Sequence, residues 1–575
     1  MLKIWPLFLI AILLTFLSNQ LALLGPKFSG EAIDAISNES GVDFLGVKTN
    51  IIKMIFCYVF SAVLSLLLSV IMIKISQNIV GRMRKELFEK LTSLPTNFFD
   101  TTAVGDIVSR MSYDIDTVNT SISHDVVQVM TSLYTVIGSL IFMWNISKPL
   151  ILIFAITVPA SILFTRYRSK KVRPLFKLRS KKLGELNGYA EEMLSGCRTI
   201  QAYHRENKIC DNFDFRNNDA MSAYYNSEYY GSIMGPSVNL INNLSISFIM
   251  ILGGILYMFS SSGTVKAGSI FFITLGGVAQ FVQYSRKFAG PINEFANIIH
   301  EFQSAFSAAE RVFKIIDHEP EKVDDVDACE LETVKGDVEF KNVNFGYTES
   351  KTILKDLNIF AQSGKTIAIV GPTGAGKTTI INLLMRFYDV NSGCVLIDEI
   401  PSDKIKRKDL RKAFIMVLQD TWLFNGTVFD NIAYGKENAT FDEVVAAAKA
   451  AKIHNFIEHL PDGYNTVISD DGINISKGQK QLITIARAML SDAPMLILDE
   501  ATSNVDSRTE IQIQAALYSL MKDRTCFVIA HRLSTIKNAD DIIVLKDGRV
   551  FEHGNHNELI KAGGFYSKLY NSQFD

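Results

Sequence analysis

Along its first half the chain carries long stretches with no charge at all. Ile4–Pro26, Met54–Ile73, Val126–Ser147, Leu150–Thr165, Tyr229–Val265 and Ala267–Ser285 contain no Asp, Glu, Lys or Arg. A helix needs ~20 mostly apolar residues to cross a bilayer, with ~17 as a lower bound. The pattern predicts six spanning helices, near 4–26, 52–75, 124–146, 149–167, 234–259 and 267–286. The fourth is short, but its flanking Lys148 and Arg166 can snorkel to the interface. The first is read as a span rather than a cleaved signal, because no small-residue cleavage site and soluble domain follow it.

The polar segments between the spans differ in sign. Arg82–Pro95 and Arg166–Lys182 are basic, whereas Gly25–Asn50 is net acidic. Positive charge stays on the cytoplasmic side, which predicts both termini and the two long loops in the cytoplasm. The basic run from Arg166 is read as orienting charge on a solvated helix, not as a nucleic-acid site. Within the loops apolar residues recur at helical spacing, as in Met83, Leu87, Leu91 and Leu94. The spanning helices are therefore expected to run on past the membrane. A polar break interrupts each loop, near 97–106 and 199–213, and reads as a docking element.

After the sixth stretch the pattern changes. A helical segment ends near Ile316, an acidic run from Glu319 to Glu332 reads as a linker over 316–335, and short apolar strands then alternate with helices. The expectation is a transmembrane domain over 1–315 and an α/β domain over 336–575. Lys and Arg number 58 against 60 Asp and Glu, which excludes a chain-wide polybasic nucleic-acid binder. Six dispersed cysteines with no CxxC pair argue against a disulfide framework or a zinc site.

The chemistry sits in the second half. Thr366–Val370 reads as a buried strand, Gly371-Pro372-Thr373-Gly374-Ala375-Gly376-Lys377-Thr378 follows, and a helix begins near Thr379. Strand, GxxxxGK[ST] loop and helix together form a phosphate-binding loop, which makes this an α/β P-loop ATPase domain. Its backbone N–H groups and helix N-terminus suit an anion. Lys377 is placed for the β- and γ-phosphates and Thr378 for Mg²⁺. A second strand, Met495–Leu498, ends in Asp499 and Glu500. The aspartate suits the Mg²⁺ shell and the glutamate suits a general base for water. Hydrolysis of a nucleoside triphosphate is the predicted reaction class.

These residues resemble the nucleotide-binding domain of ABC transporters, in the family's own order. Tyr347 stands where an aromatic stacks on adenine, and Gly371–Thr379 is similar to the Walker A loop. Gln419 resembles the Q-loop residue, a further Mg²⁺ contact, and Ser476-Lys477-Gly478-Gln479 the signature. Asp499-Glu500 resembles the end of Walker B, Asp506 closes a D-loop, and His531 matches the switch histidine. The resemblance implies Glu500, His531 and Gln419 as catalytic residues, with the signature and Asp506 meeting ATP across a dimer. The first half resembles the six-helix domain of exporter-type members, whose coupling helices the two polar breaks would be. A chain of this half length then needs a second half-transporter.

Three positions depart from that pattern. Lys477 stands where glycine is usual, Leu482 where arginine is common, and Ser469-Asp470 where Gly-Glu is expected. A competent Walker side with a weakened signature resembles one subunit of a bacterial heterodimeric multidrug exporter. The implied partner is a sister chain with an intact signature and an altered Walker B; a second copy is the alternative. Polar residues inside the spans, such as Asn239, Asn242 and Asn243, suit either substrate contact or helix packing. Amphipathic small molecules, lipids or peptides are the expected cargo. Import of metal chelates on the same fold, or an ATP-gated channel or regulatory ATPase, are the remaining readings.

Overall fold

The structure is a computed structural model that describes residues 5–37, 41–266, 268–331, 333–348, 350–419, 421–468, 475–499, 506–529 and 536–572. The chain divides into two units, Met1–Thr92 with Val104–His318, and Ser93–Ala103 with Glu319–Asp575.

The first unit is helical: α1 (Trp5–Ile36) and α2 (Phe44–Thr92), then, after α3 (Thr96–Thr101) of the second unit, α4 (Val104–Ile146), α5 (Lys148–Ser195), α6 (Cys197–Ala202), α7 (Glu206–Ser261) and α8 (Leu275–Ile316). Among the described residues α1, α2, α4, α5 and α7 are long and apolar enough to cross a membrane. With 49 residues and ~1.5 Å rise per residue, α2 far exceeds a ~30 Å hydrocarbon core. The helices therefore extend well beyond the apolar stretches that announced them. Two π turns, Arg110–Asp114 and Ser121–Asp125, interrupt α4. Asp114 is buried there and accepts both guanidinium bonds of Arg311 on α8, at 2.8 and 2.6 Å.

The sixth expected span needs correction. Helix α8 starts at Leu275, not 267, because the Thr274 hydroxyl caps it by accepting from the Gly277 N–H at 3.0 Å. Helix α8 is tied into the bundle by polar bonds to α1, as α2 and α4 also are through Ser61 and Tyr134. The buried Tyr284 hydroxyl donates to the Leu23 carbonyl at 2.6 Å, and Gln283 donates to the Ser29 hydroxyl at 3.0 Å. Helices α5 and α7 form a hairpin laced by Arg179–Glu228 at 2.6 Å and Lys182–Asp219 at 2.9 Å. Its tip carries the exposed Cys197 and Cys210; no cysteine is in a disulfide among the described residues.

The second unit holds three sheets, the smallest a two-stranded antiparallel pair of β7 (Gly426–Thr427) and β8 (Val467–Ile468). β1 (Val338–Phe345), β2 (Leu354–Ala361), β4 (Ser392–Ile397) and β5 (Ile400–Pro401) form an antiparallel sheet in the order β2-β1-β4-β5. The larger sheet runs β12-β11-β3-β10-β9-β6, from β3 (Thr366–Val370), β6 (Phe414–Val417), β9 (Met495–Asp499), β10 (Thr525–Ile529), β11 (Asp541–Lys546) and β12 (Arg549–Gly554). All but β12 are parallel. Strands buried on both faces read as unbroken apolar runs, and Ile367, Ala368, Ile369 and Val370 of β3 are at most 2% exposed.

Two boundaries differ from expectation. Residues 93–103, expected within a continuous transmembrane domain, pack with the second unit, where Phe98 of α3 is buried. The acidic run expected as a linker is a strap folded onto that unit. Asp324 accepts from the Arg407 guanidinium at 2.8 Å and its backbone N–H at 2.9 Å. Glu321 pairs with Arg411 at 2.5 Å, and Glu330 with Lys406 at 2.6 Å. Three of its carboxylates, Glu321, Asp324 and Glu330, are thus paired with cations of the same unit.

Candidate functional site

Three parallel strands, β3, β9 and β6, deliver the described predicted residues to one edge of the larger sheet. β3 runs into the glycine loop, and β9 ends at Asp499. Register places Asp499 level with Ile529 of β10, and Ile529 level with Ile369 of β3. Two strand spacings separate β9 from β3, roughly 10 Å between backbones. On the far side of β9, Val417 of β6 pairs with Leu498, and the exposed Gln419 follows two residues later. In open α/β sheets this carboxyl edge is where ligands bind.

The loop's shape follows from its glycines. Gly371, Gly374 and Gly376 have φ of 155°, 82° and 101°. A Cβ at Gly371 would lie 2.4 Å from the Leu545 carbonyl oxygen, and one at Gly376 would lie 2.7 Å from Leu354. Pro372, Thr373 and Gly374 form the exposed rim, and Ala375 anchors the loop in the core. Helix α9 (Lys377–Leu384) then begins directly under the rim. The Lys377 ammonium donates to the carbonyls of Gly371 at 2.8 Å and Pro372 at 3.1 Å, so it bends back over the loop. Burial lowers its pKa, while the negative charge of Asp499 opposes that shift. The two motifs therefore share one electrostatic field. Thr378 is exposed at the helix start and Thr379 is buried.

Tyr347 packs directly against this lysine's helix. Its hydroxyl accepts from Asn382 at 2.9 Å and donates to Thr379 at 3.3 Å. Its ring meets Phe345 and Tyr388 edge-on, with centroids 5.1 and 4.9 Å away. At 40% exposure it still offers surface for a flat ligand. Tyr388 and Asn382 carry no sequence motif of their own, and only the fold shows them beside Tyr347.

The signature residues begin a different helix, α10 (Lys477–Leu490). Ser476 caps it: its hydroxyl accepts from the Gln479 N–H at 3.3 Å, and the Gln479 side chain accepts from the Ser476 N–H at 2.9 Å. Lys477 is exposed in the first turn and Gly478 is buried. Leu482 is 1% exposed in the hydrophobic core, where a charged arginine would need a partner. Asp506 caps α11 (Ser507–Met521) by accepting from the Thr509 N–H at 2.9 Å, which holds its carboxyl below the usual range. That carboxylate serves its own helix here. Glu500, His531, Ser469-Asp470 and the preceding D-loop positions 503–505 lie outside the described residues.

A second concavity of about 1230 Å³ was not foreseen. Phe387, Arg407, Arg411, Leu418, Trp422 and Arg487 are among its walls. Trp422 packs on Phe424 at 4.3 Å, and the Arg487 guanidinium lies 5.4 Å above the Phe424 ring.

Comparison with known proteins gives concordant matches in both halves. Residues 8–280 match the family described as the ABC transporter transmembrane region, and residues 354–503 match that described as ABC transporter. The protein named "Uncharacterized ABC transporter ATP-binding protein YfiC" of Bacillus subtilis (strain 168) is 41% identical over 99% of this chain and 92% of its own length. The "Fatty acid ABC transporter ATP-binding/permease protein" of Mycobacterium tuberculosis is 41% identical over 92% of this chain and 82% of its own. The "ATP-dependent lipid A-core flippase" of Photorhabdus laumondii is 36% identical over 87% and 84%. A solved structure described as a bacterial Atm1-family ABC exporter with ATP bound superposes with a TM-score of 0.77, at 28% identity, covering 99% of this chain and 98% of that one.

Proposed function

Because this chain belongs to the ABC transporter family, as an exporter half-transporter with fused transmembrane and ATP-binding domains, we propose how its residues share the work and what it carries. ATP hydrolysis coupled to transport is the family activity. The reading adds that Gly371–Thr379 cradles the phosphates, Lys377 leaving its carbonyl partners for the β- and γ-phosphates. Glu500 orients and deprotonates the attacking water, and His531 and Gln419 sense the γ-phosphate. Tyr347 stacks on the base. Thr378, Asp499 and Gln419 offer hard oxygen donors of the kind Mg²⁺ takes, and the charge of Asp499 reaches the lysine beside it. When bound, Mg²⁺ would neutralise charge on the β- and γ-oxygens.

The proposed assembly is a dimer in which Ser476–Gln479 faces the ATP held by the other chain. The first-turn position of Lys477 supports a sister chain over a second copy. A cation there opposes the helix dipole and adds bulk where close backbone approach is wanted. The groove at Trp422 and Arg487 is read as the seat for a cytoplasmic loop of the second chain. The basic loops support a topology with both termini and the ATP-binding unit on the cytoplasmic side of a bacterial cell membrane.

The cargo reading is an amphipathic molecule with an acidic head, such as a fatty acid or lipid. Arg166, Lys170, Arg173 and Lys177 line one open groove of about 460 Å³ on α5, which suits an anionic head beside the apolar stretch of that helix. The names of the mycobacterial and Photorhabdus relatives agree with this class. The observation that carries the functional reading is the Lys377 loop and Asp499 on one sheet edge, in a chain that also supplies membrane helices. Purification from native membranes tests the assembly: a single polypeptide with full activity ends the sister-chain reading. ATP-dependent uptake of labelled fatty acid into inside-out vesicles tests the cargo, and uptake indifferent to the acidic head refutes it.

A further inference from the structure

We infer that Tyr388 is a positioning residue through which the first cytoplasmic loop sets the grip on the nucleotide base. The inference rests on the reading of Tyr347 as the base-stacking residue. Three aromatic rings of the second unit stand mutually edge-on: Phe345 with Tyr347 at 84°, Tyr347 with Tyr388 at 82°, and Phe345 with Tyr388 at 64°. Phe345 is buried on β1 and fixes one side of the group. The tilt of Tyr347 is then set by Phe345, by its hydroxyl bonds to Asn382 and Thr379, and by Tyr388.

Tyr388 is itself held from outside the sheet. Its hydroxyl donates to Asp100 Oδ2 at 2.5 Å. A phenol donating to a carboxylate makes a charge-assisted bond, stronger than a neutral one. Burial of the phenol, reinforced by the Asp100 bond and charge, raises its pKa well above the usual range, so it stays a donor at any working pH. Asp100 belongs to α3, the short helix between α2 and α4 that expectation marked as a docking break. The α3 segment is also pinned at its start, where the Ser93 carbonyl accepts from the Glu321 N–H at 2.9 Å.

The consequence is mechanical. Rings in edge contact at 4.9 Å constrain each other's tilt on the side where they touch, while the exposed face of Tyr347 stays open to the base. A shift of α3 pulls the Tyr388 hydroxyl, re-angles Tyr347 and weakens its stacking on the base. Reciprocity requires that a bound base in turn steadies α3. Tyr347 meets the phosphate loop through the 3.3 Å bond to Thr379 at its far end, so the coupling acts more on base recognition than on phosphate recognition.

That difference gives the test. The full-length transporter, with its natural partner if it has one, is reconstituted in liposomes and assayed with Mg-ATP and with Mg-UTP, whose smaller ring stacks less. Tyr388→Phe and Asp100→Asn are each expected to raise KM for ATP about five-fold, the size of one hydrogen bond, with kcat changed less than about two-fold. The double variant should match the singles, since both remove one shared bond. KM for UTP should move less than about two-fold, which a general loss of fold would not allow. Tyr347→Leu should erase the preference for ATP over UTP. If it does not, the base-stacking reading fails and takes the inference with it. If Tyr347→Leu behaves as expected but the other two variants leave KM for ATP unchanged, raise both nucleotides alike, or add in the double variant, the inference alone is overturned.

Discussion

Removing Asp324 should loosen the ATP-binding unit measurably. This carboxylate is about a quarter exposed and lies between two buried guanidiniums, Arg407 at 9% and Arg386 at 6% side-chain exposure. It accepts two bonds from Arg407, at 2.8 and 2.9 Å, and lies 3.5 Å from Arg386. Breaking a buried pair by removing one partner costs ~3–5 kcal/mol. Both arginines keep other partners. Arg407 still donates to the Lys322 carbonyl at 2.5 Å, and Arg386 to the carbonyls of Ser402 and Ile405 at 3.0 and 2.9 Å. The expected loss for Asp324→Ala is therefore nearer ~2–3 kcal/mol, below the full range for an abandoned buried charge. At roughly 2–4 °C per kcal/mol for a unit of this size, the melting transition should fall by about 5–10 °C. Scanning calorimetry of the detergent-solubilised full chain measures it. The relevant transition is identified as the one that ATP raises, because ligand stabilises only the folded site. The exposed neighbour Asp325→Ala should change it by less than about 1 °C. An Asp324→Ala transition indistinguishable from that control would refute the strap as a structural element.

Glu500→Gln should bind ATP but hydrolyse it slowly, by roughly 10²-fold or more for a lost general base, and near-normal turnover would remove Glu500 from that role. Lys377→Ala should abolish measurable ATP binding in an equilibrium assay, since the ammonium is the loop's own cation. Burial lowers the pKa of Lys377 from the ordinary 10.5. Phosphate raises it again, so ATP binding takes up a proton at high pH, and affinity should decline as pH rises from below 10.5; a flat profile up to that pH would contradict this. Gly371→Ala should cost ~1–3 kcal/mol of local strain and weaken nucleotide binding, because its Cβ would meet the Leu545 carbonyl at 2.4 Å; unchanged affinity would show that the loop tolerates a shift.

The parts of this fold that read directly from the sequence are those whose cause is local. The glycine loop is one, since alternating glycines before Lys377 admit few backbone shapes, and the structure shows positive φ at Gly371, Gly374 and Gly376. Five of the six charge-free stretches lie in helices long and apolar enough to cross a membrane. The misreadings came from interactions between distant positions. The acidic run reads as a linker because its arginine partners stand more than 80 residues further on, at Arg407 and Arg411. The sixth helix starts late because Thr274 caps it, a detail that an uncharged window conceals. Residues 97–106 read as a docking break, but the membership of 97–103 in the second unit, through Phe98 and Asp100, depends on three-dimensional packing. The convergence of Lys377, Asp499 and Gln419 on one edge needed the strand order, which a linear pattern does not contain.

The strap also limits slack. Between Ile316, the last residue of α8, and Glu321, its first pinned carboxylate, the chain takes five steps, at most ~18 Å when fully stretched. Asp317 and His318 still bond back to the carbonyls of Phe313 and Ile315, which shortens the usable length further. With so few links, the foot of α8 and the arginine-bound strap cannot part by more than that contour length.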